Sequence, residues 1–195
     1  MKRELLYIIL FGVLLSPQAE GVQLKLGDKD IKEAVYYGSH RKELSHPELL
    51  KAWRIDLGYG VGSATLITPY ASLIILAKES ALTSREPTER EIQKELEEKS
   101  GQISFGCGLY GEEIDFASNC KAVLEYKDEK RGTTHTSLPP SASYTKSYPA
   151  SPRFWALCFF RFPMTGIGAN DKVTLVLTDA KGKELRFPFD LSQLR

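Results

Sequence analysis

From Asp171 to Leu191 the chain reads DKVTLVLTDAKGKELRFPFDL, with apolar residues on every second position of two arms. Val173, Leu175 and Leu177 point one way, and Thr174 and Thr178 the other. Leu185, Phe187, Phe189 and Leu191 then share a side opposite Glu184, Arg186, Pro188 and Asp190. A period of two belongs to a strand, whose successive side chains leave on opposite faces. Two such arms around a Gly-bearing turn predict an antiparallel hairpin with one face buried and one wet. Pro188 has no N–H to give to a ladder, so the second arm is expected at a sheet edge. The buried face of such a hairpin needs a second layer to cover it.

Upstream segments supply candidates for that layer. GQISFGCGLYG sends Ile103, Phe105, Cys107 and Leu109 to one side. Ser104, Gly106, Gly108 and Tyr110 stay on the other, a small surface expected to lie close beneath another element. SPRFWALCFFRFP is almost wholly apolar, which predicts a central strand covered on both faces. With AVYYG, GSATLI and CKAVLEYK, about seven strands are read, near 34–37, 62–67, 102–110, 121–127, 154–162, 172–178 and 184–190.

Two helix signals interrupt them. Thr68-Pro69 offers an N-cap and a favoured first residue, and Tyr70, Leu73, Ile74, Ala77 and Ala81 then keep helical spacing, predicting a helix over 69–82. In REPTEREIQKELEEKSG, Thr88 caps, Glu91 closes a capping box and Gly101 lies just past the end, predicting a surface helix over 88–99. A brief helix is also read in SHPELLKAW, from Ser45 as cap and Glu48 three residues on, cut short by Gly58, Gly60 and Gly62. The fold class is therefore mainly β with a helical insertion (α+β). Its expected core is an immunoglobulin-like antiparallel β-sandwich, although the Cys…Trp…Cys spacing of true immunoglobulin domains is absent.

The N-terminus sets an expected address. Lys2 and Arg3 precede an apolar run from Leu5 to Leu15, and Ser16-Pro17 stops it. Ala19 and Gly21 put small residues at −3 and −1 of a cut before Val22, the layout of a secretory signal peptide over 1–21. Eleven residues reach only about 17 Å as a helix, short of a hydrocarbon core of about 30 Å. Residues 22–195 are then one β-sandwich domain, exported to a periplasmic or extracellular space. Contact with a membrane is expected only if the signal segment stays uncleaved.

Composition and motifs narrow the function. Lys and Arg number 26 against 25 Asp and Glu, so the surface lacks the basic excess that nucleic acid requires. Of three cysteines, Cys107 and Cys120 are the candidate disulfide, and Cys158 reads as a small buried hydrophobe. No His/Cys spacing suits a metal, and no cofactor fingerprint is present; Gly58, Gly60 and Gly62 precede a strand rather than a helix. Acyl transfer lacks a nucleophile motif, although Cys107 with His135 as base is a conceivable pair.

The Pro- and Ser-rich stretch from Arg131 to Arg153 is read as an extended, mobile crossing, with a plain linker that includes an edge strand over 142–147 as the plainer reading. Tyr144, Tyr148 and His135 are its candidate contact residues. The expected function is an exported non-enzymatic binding or structural module, with an envelope protein or polysaccharide as partner. The alternative is a secreted hydrolase with its site near the glycines of 58–63. Convergence of Glu112, Asp115, His135 and Cys107 in one deep pocket would favour the second.

Overall fold

A computed structural model of the chain describes residues 25–179 and 181–194. The expected signal peptide and its cut before Val22 lie outside the described residues. Elements follow in the order α1 (Asp28–Ser39), α2 (His46–Leu49), β1 (Arg54–Asp56), β2 (Gly62–Ile67), α3 (Pro69–Leu82), α4 (Glu89–Lys99) and β3 (Gln102–Gly111). Then come β4 (Lys121–Tyr126), β5 (Glu129–Gly132), β6 (His135–Ser137), β7 (Ser143–Tyr144), β8 (Phe154–Pro163), β9 (Lys172–Thr178) and β10 (Glu184–Asp190). The protein is mixed α+β, and its strands form two antiparallel sheets.

Sheet A runs β1-β2-β3-β8-β6, with β7 also paired to β8; sheet B runs β10-β9-β4-β5. The C-terminal hairpin has the register its alternation implies, from Glu184 opposite Thr178 to Asp190 opposite Lys172. Pro188 lies on β10, which pairs with β9 alone, so the proline sits on an edge strand. Inward residues of both sheets share one core. Ala64, Leu66, Phe105, Cys107, Cys158 and Phe160 come from sheet A, and Leu124, Val173, Leu175 and Phe187 from sheet B. The Phe105 and Phe189 rings meet across the layers at 5.3 Å. The expectation of an antiparallel sandwich is thus met as two packed layers, with the strand orders given above.

The helices form a second, smaller core. α3 has the expected bounds, and the Thr68 hydroxyl accepts from the Ala71 amide at 3.0 Å. α4 carries the expected capping box, with the Thr88 amide donating to Glu91 Oε2 at 2.8 Å. The short helix after Ser45 is α2. Leu49, Leu50, Trp53, Tyr70, Leu73 and Ile74 bury one another beside Ala34. The buried Lys78 ammonium donates to the Lys42 carbonyl and ties α3 to the turn after α1.

Three expectations are corrected. The 34–37 piece is not a strand but the end of α1, whose Ala34 and Gly38 are its buried residues. An ideal Cβ at Gly38 would stand 2.2 Å from the Ile74 carbonyl oxygen, so α1 and α3 are in backbone contact there. That packing overrides the β preference of Val35, Tyr36 and Tyr37. The 131–153 stretch is not a free crossing. It carries β6 and β7 along the edge of β8, and it is pinned by Thr134 N–H to the Arg161 carbonyl (2.8 Å) and Ala142 N–H to the Ile114 carbonyl (2.7 Å). The expected edge strand over 142–147 is realised only at Ser143–Tyr144. Third, β8 is covered on one face only, as described next.

Candidate interaction surface

β8 alternates without a break. Phe154, Ala156, Cys158, Phe160 and Phe162 are buried, while Trp155, Leu157 and Phe159 are 36%, 44% and 39% exposed. The apolar run therefore satisfies the core with one face and presents its other face on the outer wall of sheet A. The register places four rows on that wall. Tyr110, Trp155 and Ser143 share one row; Asp56, Ser63, Gly108 and Leu157 the next. Arg54, Thr65, Gly106, Phe159 and Ser137 form the third, and Ile67, Ser104, Arg161 and His135 the fourth.

The two glycines explain how the rings sit. An ideal Cβ on Gly106 would stand 3.3 Å from Phe159 Cε1, and one on Gly108 3.1 Å from Trp155 Nε1. Both rings therefore lean from β8 onto the bare backbone of β3, as aromatic residues do beside sheet glycines. The small surface read on β3 is covered as expected, but by side chains of its own sheet. Arg54 and Asp56 form an ion pair of 3.0 Å at the β1 side of the wall. Arg161 has no carboxylate partner among the described residues.

Sheet B differs. Its outward positions carry Glu125, Arg186 and Glu184, with Arg186 bonded to Glu125 and 3.7 Å from Glu184, and Lys130 3.7 Å from Glu125. The Arg186 guanidinium holds the Glu125 carboxyl below its usual range. This wall is a solvated lattice of charge, of the kind that keeps an outer face wet.

Beside the Trp155 end of sheet A lies a second aromatic group. The Tyr144 and Tyr148 rings meet at 4.4 Å, tilted by 55°, and both meet Phe154. Tyr59 packs edge-on to Tyr110 at 5.2 Å, shares a 2.9 Å hydrogen bond with Ser147 and lies under the Lys146 ammonium. That bond to Ser147 lowers the Tyr59 phenol, while burial raises the Tyr110 phenol. Arg153 reaches Glu112 at 3.1 Å and Glu113 at 3.3 Å, and the Ser151 hydroxyl donates to Glu112 at 2.6 Å. Glu112 is held below its usual range by Ser151 first and Arg153 next. Of the three contact residues expected from sequence, Tyr144 and Tyr148 are therefore neighbours. His135, opposite Arg161, is seven positions along β8 from Phe154, or about 24 Å.

The four residues weighed for catalysis do not converge. Glu112 and Asp115 line a cleft of about 480 Å³ at one end of the sandwich, with Asp179, Lys181 and Lys183 on its walls. His135 belongs to the far end of β8. Cys107 is sealed in the core, where burial first and the neighbouring Cys158 second push its thiol well up, the reverse of nucleophile activation. Cys107, Cys120 and Cys158 are all free thiols in the structure, so the expected Cys107–Cys120 bridge is not formed. Among the described residues no group of three or more His, Cys, Asp or Glu side chains is placed to hold a metal. No described helix is long and apolar enough to cross a membrane.

Sequence reasoning missed the outer wall of sheet A. The signal was present, since a central strand apolar at both parities needs two covers and the described residues supply one. No family model matches the chain, and no curated protein matches it. Among solved structures the chain is similar to the archaellum periplasmic stator protein FlaG from Sulfolobus acidocaldarius, at 13% identity over 46% of this chain and 86% of that one, with a TM-score of 0.29.

Proposed function

We propose that this chain is an exported binding module without chemistry of its own, and that it engages another protein through the outer wall of sheet A. The observation that carries the reading is the stripe Trp155-Leu157-Phe159 on a bed of Gly106 and Gly108. Full burial of such side chains is worth about 1.5–3 kcal/mol each, and here over a third of each stays in water. Contiguous exposed apolar surface with a polar rim is the mark of a docking site. A protein suits it better than a polysaccharide. Its centre is the aliphatic Leu157, and its charges sit at the margins, as they do in protein interfaces. The leader-like N-terminus supports export.

The test is a photo-reactive phenylalanine analogue placed at position 157 and, as control, at Thr174 on the outer wall of sheet B. After irradiation in exporting cells, covalent adducts with protein are expected from position 157 and not from 174. No adduct from 157, or equal yields from both positions, overturns the reading.

A further inference from the structure

Resting on the reading of sheet A as a docking wall, we infer that its occupant is a second copy of this chain, bound face to face about a twofold axis. The register supplies the reason. Ile55, Ala64, Cys107 and Cys158 lie in one row across β1, β2, β3 and β8. A twofold axis lying in the interface along that row exchanges the outward residues on either side of it. Leu157 then faces Phe159 of the second copy. Trp155 faces Arg161, and Arg54 faces Asp56. Gly106 and Gly108 let the Phe159 and Trp155 rings lie flat on their own sheet, which keeps the wall level enough to meet its copy. His135, one row beyond Phe159 on β6, faces the row of Ser143.

This pairing is self-complementary in both chemistry and charge. No charge on the wall meets its like. Arg161, which has no carboxylate partner among the described residues, gains the face of an indole, a favourable seat for a guanidinium. Arg54 and Asp56, paired within the chain at 3.0 Å, are extended into a four-charge ring by their symmetry mates. An isologous contact demands that a surface match itself under rotation, and most surfaces fail that condition. Two twisted sheets meeting by their faces cross at about 30°, which keeps the central rows in register.

Sedimentation velocity of the full chain, expressed with its own leader and purified as the cell leaves it, is the test. A dimer is expected. Leu157→Asp should weaken association about tenfold or more, since the substitution enters the centre of the interface twice. Its circular dichroism should be unchanged, because Leu157 fills no core. Arg54→Asp should weaken association, and the double variant Arg54→Asp/Asp56→Arg should regain it, because the cross-axis pairs are restored.

A chain that stays monomeric up to about 100 μM overturns the inference. So does a dimer that Leu157→Asp leaves intact. The adduct mass from position 157 separates the two readings. Adducts of twice the chain mass support the second copy. Adducts to a different protein with a monomeric chain overturn it but leave the docking wall standing, and no adduct removes both.

Discussion

At Gly38 a missing methyl group decides how two helices meet. The Ile74 carbonyl oxygen occupies the space a Cβ would take, and a backbone atom cannot swing aside. Gly38→Ala should therefore cost about 2–3 kcal/mol, by the logic of overpacking, read as a lower urea midpoint. Gly132→Ala is the matched control. A Cβ there meets nothing within 4 Å, so stability should hold or rise slightly. Tyr126 gives a second residue-scale expectation. Its buried hydroxyl donates to Asp171 Oδ2 at 2.6 Å, and the same carboxylate accepts from the Gly168 amide at 2.7 Å. Tyr126→Phe should cost about 1 kcal/mol in the same titration. None of these couplings is legible from the letters. Gly38 reads as the end of a β-prone pentapeptide, and Tyr126 as one more strand aromatic, because the partners lie 36 and 45 positions away.

Among elements, legibility followed the range of the signal. α3, α4 and the closing hairpin carry their instructions within a dozen residues, as caps, Pro-N1 and strict alternation, and the structure places them where those instructions fall. The last turn of α1 is not legible as helix because its residues are β-prone and its reason to be helical is α3. β6 and β7 were nearly invisible because so short a strand is defined by the neighbour it pairs with. β8 is legible as a strand but the cover of its outer face is not, since hydropathy reports what a face wants rather than what it has. Its two faces should separate in experiment. Phe160→Ala, on the inner face, should cost about 3–5 kcal/mol, whereas Leu157→Ser should leave the urea midpoint of the monomer within about 0.5 kcal/mol of wild type. Thr88→Ala should remove about 1 kcal/mol from the end of α4.

For the whole molecule the titrating groups define a pH window. Arg85 and Thr88 bring Glu91 from 4.5 down to about 2. Glu125, Asp171 and Asp190 are lowered too, chiefly by Arg186, Tyr126 and Ser192. Lowered carboxyls contribute stability above their unfolded values, and that share drains away as pH falls from about 5 toward 2. The thiols act with the opposite sign. Burial raises Cys107 and Cys120 above 9.0 and pushes Cys158 up to about 12, so their share is complete below pH 9 and drains away as pH climbs past it. A urea midpoint flat between about pH 5 and 9 and falling on both flanks is the expected profile. The same burial should shield all three sulfurs from a thiol reagent in the native state and release three equivalents in denaturant without reductant.

Pro188 leaves a further mark on how these molecules can crowd together. It interrupts the hydrogen-bonding rail along the rim of sheet B, so no neighbour's strand can zip onto that rim without a gap. With the broad side behind it covered by ions, the proposed twofold contact through sheet A has no continuation along the β10 rim. Concentrated solutions should accordingly stay clear, saturating at a finite particle rather than spinning out fibres.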